Sequence, residues 1–282
     1  MRAIGLGLLG LVGVLTLRTC RDPEPVRWRV ATFNIEEFPK DQRQIDGAFD
    51  EIERLGAGLV AVQEIMRPDV FAAAARARLG ADWHFVHEGG VRPGAPDAGR
   101  LTHELGLLFD RRLYTLRRVQ LHDGTRLGAN HKPVLDVELR KGDETFRVLV
   151  IHFKSGGDHH PTRARQYAAL TPVLAEVQRT GARVILMGDF NATGEADRVD
   201  LARLTGATGT TWATEDLACS AFWDRNDGCP RSRLDHVITT ERPSEVRATG
   251  ACATEGCDWG ASCPLYAEYV SDHCPVVLTF ER

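Results

Sequence analysis

The polar residues of this chain that could do chemistry stand at the ends of apolar segments. They are Asn34, Glu64, His152, Asp189, Asn191, Asp235, Asp272 and His273. Carboxylate and amide oxygens are ligands for hard divalent cations, and imidazoles exchange protons or bind phosphate oxygens. A single carboxylate in such a place is most often a helix cap or turn former. Together, these groups make up the inventory that metal-assisted phosphoester hydrolysis requires.

Alternating strands and helices must position these residues. Apolar runs and β-rich alternation predict strands over 28–35, 59–65, 105–109, 114–121, 133–140, 145–153, 183–187, 234–239, 245–249 and 276–280. Helical spacing predicts helices over 41–55, 68–79 and 161–179, and glycine and proline predict a loop over 89–99. Strands separated by amphipathic helices predict an α/β fold with two sheets packed face to face. The candidate residues lie mostly at the carboxyl ends of strands, where α/β proteins place their sites.

Five ordered motifs resemble those of the endonuclease/exonuclease/phosphatase superfamily, which includes DNase I-like nucleases, abasic-site endonucleases, bacterial sphingomyelinases and inositol-polyphosphate phosphatases. The motifs are Asn34, Gln63-Glu64, Gly188-Asp189-Phe190-Asn191, Leu234-Asp235-His236 and Ser271-Asp272-His273-Cys274-Pro275-Val276. The resemblance implies a four-layer α/β sandwich of two packed mixed β-sheets flanked by helices. It also implies dependence on Mg²⁺ or Mn²⁺, with Ca²⁺ as a further, structural ion.

The resemblance implies metal and water-positioning roles for five of these residues. Glu64 would be the principal metal ligand, helped by Asp272 and Asn34. Asp189 and Asn191 would position the attacking water or the phosphate.

It implies proton-transfer roles for the histidines and their partners. His273 would work with Asp235 as its carboxylate partner. His152 would be a second catalytic histidine with Glu104 as its partner. The expected mechanism is in-line attack by water on phosphorus, without a covalent intermediate.

Several basic residues are candidates for contacting the substrate phosphate. They are Lys154, Arg163, Arg165, Arg231 and Arg233. Surface charge is the alternative interpretation for Arg163 and Arg165, which open a predicted helix. His236 is interpreted as structural.

The net charge of −4 and the pI of about 6.2 exclude a generally basic surface, so a substrate phosphate must be attracted locally. A nuclease-like phosphodiesterase acting on DNA or RNA is favoured. A sphingomyelinase-like enzyme would need a membrane-facing apolar hairpin. Residues 221–223 are the one short apolar aromatic cluster that looks exposed, and they are interpreted as core. An inositol or sugar phosphate phosphoesterase and a non-catalytic envelope binding module are further alternatives. A monomer without a dedicated protein partner is expected.

The N-terminus predicts export. An early arginine precedes an apolar run over 4–17, which is short for a membrane span and typical of an export signal. Residues 1–20 are therefore interpreted as an export or lipoprotein signal, 21–27 as a linker and 28–282 as the catalytic domain. Cys20 stands where a lipidated cysteine would, so secretion, periplasmic residence and lipid anchoring all stay open.

Six further cysteines cluster in the last quarter of the chain, which predicts disulfides in an exported protein. The sequence leaves their pairing open. The spacing of Cys219 and Cys229 favours a local bridge. Cys252, Cys257 and Cys263 could instead hold zinc, and Cys274 is interpreted as a buried free thiol.

Overall fold

The structure is a computed structural model that describes residues 27–91, 103–128, 131–222, 228–258, 260 and 262–281. The predicted signal with Cys20 lies outside the described residues, as does the linker up to residue 26. Arg27, the last residue of that predicted linker, already belongs to the first strand.

The described residues form fourteen β-strands. In chain order they are β1 (Arg27–Phe38), β2 (Leu59–Ile65), β3 (Trp83–His87), β4 (Glu104–Asp110), β5 (Thr115–His122), β6 (Val134–Lys141), β7 (Glu144–His152), β8 (Arg183–Asp189), β9 (Thr211–Trp212), β10 (Ala221–Phe222), β11 (Arg231–Ser232), β12 (Asp235–Thr239), β13 (Glu245–Ala248) and β14 (Val276–Glu281).

The helices of the described residues lie mainly outside the sheets. They are α1 (Gln42–Leu55), α2 (Pro68–Leu79), α3 (Glu88–Val91), α4 (His160–Gln178), α5 (Glu195–Thr208), α6 (Ala251–Thr254) and α7 (Leu265–Tyr269). Within the described ranges, none of the helices is long and apolar enough to span a membrane. The loop predicted over 89–99 begins inside α3, and its part from residue 92 onward lies outside the described residues.

Sequence reasoning missed α5 because the face that this helix buries is partly acidic. Asp197 is buried against Arg163, and Asp200 pairs with His160 at 2.9 Å. Buried carboxylates replace apolar residues at these inward positions, so the apolar periodicity that marks an amphipathic helix is broken.

Two six-stranded mixed sheets form the centre of the fold. The first has the order β13-β14-β1-β2-β4-β3, and the second has the order β5-β6-β7-β8-β12-β9. One adjacent pair in each sheet is parallel: β1 with β2, connected through α1, and β7 with β8, connected through α4. Each parallel pair therefore forms a βαβ unit, which brings the carboxyl ends of both strands to one edge.

Alternating side chains of the strands face two different cores. Val30 of β1 and Leu59 of β2 pack between the sheets with Val148 of β7 and Met187 of β8. Phe33 of β1 lies on the opposite face of the first sheet from Val30.

The two outer cores complete the sandwich. Phe33 packs with Phe49 of α1 and Phe71 of α2 on the outside of the first sheet. Leu149 of β7 packs with Leu170 of α4 on the outside of the second sheet. Helix, sheet, sheet and helix layers follow one another, which confirms the predicted four-layer α/β sandwich.

A cysteine-rich lobe lies beside the sheets. Its disulfides join Cys219 to Cys257, Cys229 to Cys263 and Cys252 to Cys274. The predicted bridge between Cys219 and Cys229 is wrong, as are the zinc alternative and the free thiol at Cys274. The chain folds 252–274 back onto 219–229, so that Cys219 and Cys229 each meet a partner from the later segment, while Cys252 and Cys274 pair within that segment. The spacing of the cysteines along the chain does not predict this disulfide pairing.

A buried ion pair on the second sheet should make stability depend on pH. Asp136 is 1% exposed and accepts hydrogen bonds from Arg147 and, at 2.8 Å, from His122. Burial alone would raise the pKa of Asp136, but these two bonds outweigh it, and the pKa lies below its ordinary value. The ionised form therefore contributes stability that is present above the unfolded pKa of about 3.9 and is lost as the pH falls further.

We expect Asp136→Asn to lower the free energy of unfolding at pH 7 by about 3–5 kcal/mol, because Arg147 is left buried without its counter-charge. Urea titrations of variant and wild type should converge as the pH falls below about 3.9. Asp143→Asn, at an exposed ion pair with Arg140, is the control and should leave stability unchanged. A loss of unfolding free energy in Asp136→Asn that is the same at every pH would contradict the ion-pair explanation.

Candidate active site

Strand direction brings the predicted site residues to one edge of the sandwich. In the first sheet, Asn34 of β1 is in register with Gln63 of β2, directly before Glu64. In the second sheet, Asp189 of β8 is in register with both His152 of β7 and Asp235 of β12.

The antiparallel strands deliver the remaining residues to the same edge. Because β14 runs antiparallel to β1 and Val276 pairs with Thr32, Asp272 and His273 arrive beside Asn34. Ser271 fixes this approach: its hydroxyl donates to the Asn34 carbonyl at 2.7 Å and accepts from the His273 N–H at 3.0 Å.

The backbone at this edge is locally strained. Glu36, Glu37, Glu64 and Asn191 have φ values of 37°, 55°, 62° and 49°, in the left-handed region that non-glycine residues rarely adopt. Gly188 has φ 147°, and a Cβ there would lie 2.1 Å from the Ile151 carbonyl oxygen, so only glycine fits. Such strain is characteristic of functional sites, where surrounding contacts hold side chains in place.

The Asp189 carboxylate lies at the centre of the cluster and is 1% exposed. Its Oδ2 accepts from the side-chain amides of Asn34 and Asn191, each at 3.1 Å, and its Oδ1 accepts from the Asn191 main-chain N–H at 2.7 Å. Nε2 of His152 lies 3.4 Å from Oδ2, and Nε2 of His273 lies 3.8 Å from it. Burial raises the pKa of Asp189 to about 7.

His273 and Asp235 form a buried pair. Nδ1 of His273 lies 2.7 Å from Oδ2 of Asp235, which leaves Nε2 facing the site. Burial would lower the pKa of His273, but the carboxylates of Asp235 and Asp189 outweigh it and raise the pKa well above its ordinary value. The ring is therefore an imidazolium at neutral pH. The structure brings together the pair that the resemblance implied.

His152 faces the same cluster, but its ring is uncharged. Its Nε2 lies 3.7 Å from Oε1 of Glu64, in addition to the contact with Asp189. Burial lowers the pKa of His152 to about 4, so the ring is neutral at pH 7.

Glu104 is not the partner of His152, and this prediction is corrected. Oε2 of Glu104 lies 2.5 Å from Nδ1 of His87 and accepts from the Gly89 main-chain N–H at 2.8 Å. Glu104 begins β4, and β3 pairs with β4 so that His87 lies opposite Gly106. The neighbouring strand thus supplies a nearer imidazole, and because β3 was not predicted, sequence reasoning could not see it.

Glu64 and Asp272 are half-buried, whereas Asn34 is buried. The Asn34 amide donates to Glu64 Oε1 at 3.3 Å. Burial alone would raise the pKa of Glu64. The neighbouring imidazoles of His152, His103 and His273 outweigh burial and lower the pKa, so the Glu64 carboxylate is ionised. Burial and the charges of Glu36 and Glu64 raise the pKa of Asp272 to about 6.

This donor set fits a hard divalent cation. Among the residues that the structure describes, no group of three or more His, Cys, Asp or Glu side chains is arranged to hold a metal ion. Mg²⁺ does not require one, since it is usually held by one or two carboxylates and keeps several waters. Glu64 and Asp272 offer the carboxylates. Burial, followed by the charges of Glu36 and Glu64, disfavours the ionised form of Asp272, a cost that a bound cation would offset.

Arg163 is not a phosphate ligand, and neither interpretation of it from the sequence is right. Its side chain is fully buried, and its five hydrogen bonds use as many N–H donors as a guanidinium has. Two go to Asp197 and one to Thr193. The others go to the carbonyls of Lys154 and Gly156, so Arg163 holds the segment that follows His152.

The other basic candidates have different environments. Arg165 is exposed, and Lys154 is half-buried. Arg231 lies over the Phe222 ring at 4.2 Å. Arg233 donates to the main-chain carbonyls of the 215–217 segment, which anchors its side chain. A phosphate role for these four residues stays a prediction.

Two residues at the site were missed by sequence reasoning. Nε2 of His103 lies 3.6 Å from Glu37 and 3.9 Å from Glu64. Ser220 donates to Asp235 at 2.8 Å. Neither belongs to one of the ordered motifs, so no local signal marked them. His236 accepts from Trp212 and contacts Thr214, in keeping with its structural interpretation.

The chain belongs to the Endonuclease/Exonuclease/phosphatase family, whose profile matches residues 31–273. This match covers the first four ordered motifs and the Ser271-Asp272-His273 part of the fifth. No curated protein matches the chain in sequence.

Solved structures with the same fold come from several organisms. D. rerio TDP2 complexed with single strand DNA product superposes with a TM-score of 0.67 at 14% identity, covering 90% of this chain and 98% of that one. The human Nocturnin catalytic domain with bound sulfate gives 0.66 at 16%, covering 91% and 95%. The endonuclease/exonuclease/phosphatase from Bacteroides vulgatus gives 0.65 at 17%, covering 90% and 98%. At these identities the likeness establishes the fold, which is DNase I-like.

The contrasting environments of Arg163 and Arg165 lead to a stability prediction. We expect Arg163→Met to lower the free energy of unfolding by about 3–5 kcal/mol, because it leaves the Asp197 carboxylate buried without its partner. Arg165→Met removes a similar side chain two residues along, from an exposed position, and should leave stability unchanged. Chemical denaturation of both variants is the measurement, and equal stabilities would show that the buried network contributes nothing.

Proposed function

We propose that this protein is a divalent-metal-dependent phosphodiesterase with nuclease-like activity on DNA or RNA. The observation that carries the proposal is the convergence on Asp189. Two side-chain amides, one cationic imidazole and one neutral imidazole surround a single buried carboxylate oxygen. This arrangement can activate a water on one side and stabilise charge on a phosphoryl oxygen on the other.

The carboxylate of Asp189 is the base in this proposal. With a pKa near 7 it can take a proton from the attacking water at neutral pH. Asn191 holds the carboxylate in place, since its side chain is itself fixed by donating to the Phe153 carbonyl at 3.0 Å. Asp189 therefore orients the water without having to reorganise.

The two histidines stabilise the charge that develops on oxygen. His273, held cationic by Asp235, directs Nε2 toward a non-bridging phosphoryl oxygen. His152, neutral at pH 7, offers the N–H of Nε2 to a second oxygen of the same group. His273 therefore acts as a fixed cation, and His152 acts as a neutral hydrogen-bond donor.

Mg²⁺ or Mn²⁺, when bound, would supply Lewis-acid stabilisation of the phosphoryl group. Glu64, with Asp272 and Asn34, would hold the ion. These residues meet the preference of hard cations for oxygen ligands.

A nucleic-acid substrate is favoured over a lipid. A sphingomyelinase-like mode would use the 221–223 segment as a membrane contact, but Ala221 and Phe222 are buried in the cysteine-rich lobe, and Trp223 lies outside the described residues. One structural neighbour, D. rerio TDP2, is described with a single strand DNA product.

Export agrees with the cysteine chemistry. Three disulfides persist in oxidising compartments and are rare in the cytosol. We therefore propose that the protein acts outside the cytoplasm on extracellular or periplasmic nucleic acid.

The metal requirement can be tested with substrates in parallel. Plasmid DNA, RNA and sphingomyelin are incubated with Mg²⁺ and with chelator, and cleavage of nucleic acid only with Mg²⁺ is expected. Glu64→Gln should raise the Mg²⁺ concentration for half-maximal activity at least about tenfold, because a ligand charge is lost. Glu53→Gln, at an exposed ion pair with Arg78, is the control. Undiminished turnover in chelator would refute metal dependence.

The role of the histidine cation can be tested separately. His273→Ala should lower kcat for a phosphodiester reporter by roughly 10²–10⁴-fold, since the proton-carrying group is lost. His84→Ala, on β3 and packed edge-on against Phe109, is the control for removing an imidazole. Circular dichroism should show both variants folded. Normal turnover in folded His273→Ala would remove His273 from the mechanism.

A further inference from the structure

Ser220 connects the two chain segments that carry the buried pair of Asp235 and His273. It is fully buried. Its main-chain N–H donates to the Ser232 carbonyl at 2.8 Å, near Asp235 in the chain, and its carbonyl accepts from the Cys274 N–H at 2.7 Å, next to His273. The main chain of Ser220 thus sets the spacing between the carboxylate and the imidazole.

The Ser220 hydroxyl acts on the carboxylate itself. It donates to Oδ2 of Asp235 at 2.8 Å and accepts from the main-chain N–H groups of Leu234 and Asp235, each at 3.0 Å. The two N–H donors point the hydroxyl proton at Asp235, since they occupy its oxygen lone pairs.

The other carboxylate oxygen leaves Asp235 dependent on this contact. Oδ1 is buried and has no hydrogen-bond partner within the described part of the chain, whereas Oδ2 receives both Ser220 and Nδ1 of His273. A carboxylate held through one oxygen can rotate about the bond to its Cβ when one of its two donors is lost. Such rotation would tilt the imidazole that the carboxylate orients.

Disulfides keep Ser220 in place. Cys219, directly before it, is bonded to Cys257, and Cys274, directly after His273, is bonded to Cys252. Ala221 forms an isolated bridge with His273, and the Phe222 N–H donates to the Asp272 carbonyl at 2.7 Å. The hydroxyl therefore cannot follow a displaced carboxylate.

We propose that Ser220 is a positioning residue: its hydroxyl, fixed by the disulfide-bonded lobe, orients the Asp235 carboxylate so that His273 directs Nε2 at the phosphoryl group. This inference rests on the proposed hydrolase function. It gives the cysteine-rich lobe a catalytic purpose in addition to stability.

Ser220→Ala tests the proposal by steady-state kinetics on a phosphodiester reporter. We expect kcat to fall roughly 10–100-fold, in line with the loss of one hydrogen bond to a charged group, and KM to change less than about twofold. We expect kcat to change more than KM because the orientation of His273 affects the transition state and not substrate binding.

Thr214→Val is the matched control. Thr214 is likewise fully buried; its hydroxyl accepts from the Val237 N–H of the same strand β12 at 3.1 Å and contacts an imidazole, that of His236, at 3.0 Å. It should lose thermal stability much as Ser220→Ala does and keep its kcat. Equal losses of kcat in the two variants would overturn the proposal.

A double-mutant cycle separates positioning from general destabilisation. If Ser220 acts through Asp235, then Ser220→Ala should change kcat less than about twofold in an Asp235→Asn background. Multiplicative effects of the two substitutions would mean that Ser220 acts independently of the carboxylate, and the proposal would fail.

A spectroscopic measurement is independent of turnover. In protein labelled with ¹⁵N-histidine, the proton on Nδ1 of His273 should shift on Ser220→Ala and stay in place in Thr214→Val. An unchanged resonance in Ser220→Ala would overturn the inference, whatever the activity. Absence of hydrolysis by the wild type, with the resonance shifting as expected, would instead sink the proposed function alone.

Discussion

A hydrogen bond between the two sheets organises this site. The side-chain amide of Asn34, in β1 of the first sheet, donates to the Asp189 carboxylate, at the end of β8 in the second sheet. Burying a polar group without hydrogen-bond donors costs of the order of 2–7 kcal/mol, and an ionised carboxylate costs more. Asp189 therefore requires donors, which here are Asn34 of the first sheet and Asn191 just after β8 of the second. Because the donors come from both sheets, the sheets must pack in one relative position for the carboxylate to be satisfied.

That constraint also sets the charge states. The same burial that raises the pKa of Asp189 lowers that of His152, while a second carboxylate, Asp235, reverses the effect of burial at His273. Groups a few ångströms apart therefore hold different protonation states at neutral pH. This separation is what acid–base and electrostatic catalysis at one phosphorus needs.

The cysteine-rich lobe contacts the site through the main chain, where Ala221 and Phe222 meet His273 and Asp272. Its three disulfides span 38, 34 and 22 residues, so they restrict the unfolded chain of a segment with few regular elements. The small core of this segment includes Phe222 and Ala267 with several cysteines. It is modest, and the cross-links provide the rigidity that a larger apolar core provides in the sheets.

Local pattern alone determined the α/β class, the helices α1, α2 and α4, and the edge at which Asn34, Glu64, His152, Asp189 and His273 meet, because periodicity and strand ends are properties of neighbouring residues. Partner choice was decided only by tertiary structure. Glu104 binds His87, Arg163 is buried on Asp197, and Cys274 bonds Cys252. Each of these contacts joins residues 17 to 34 positions apart, and their distance depends on how whole elements pack, which no local pattern records.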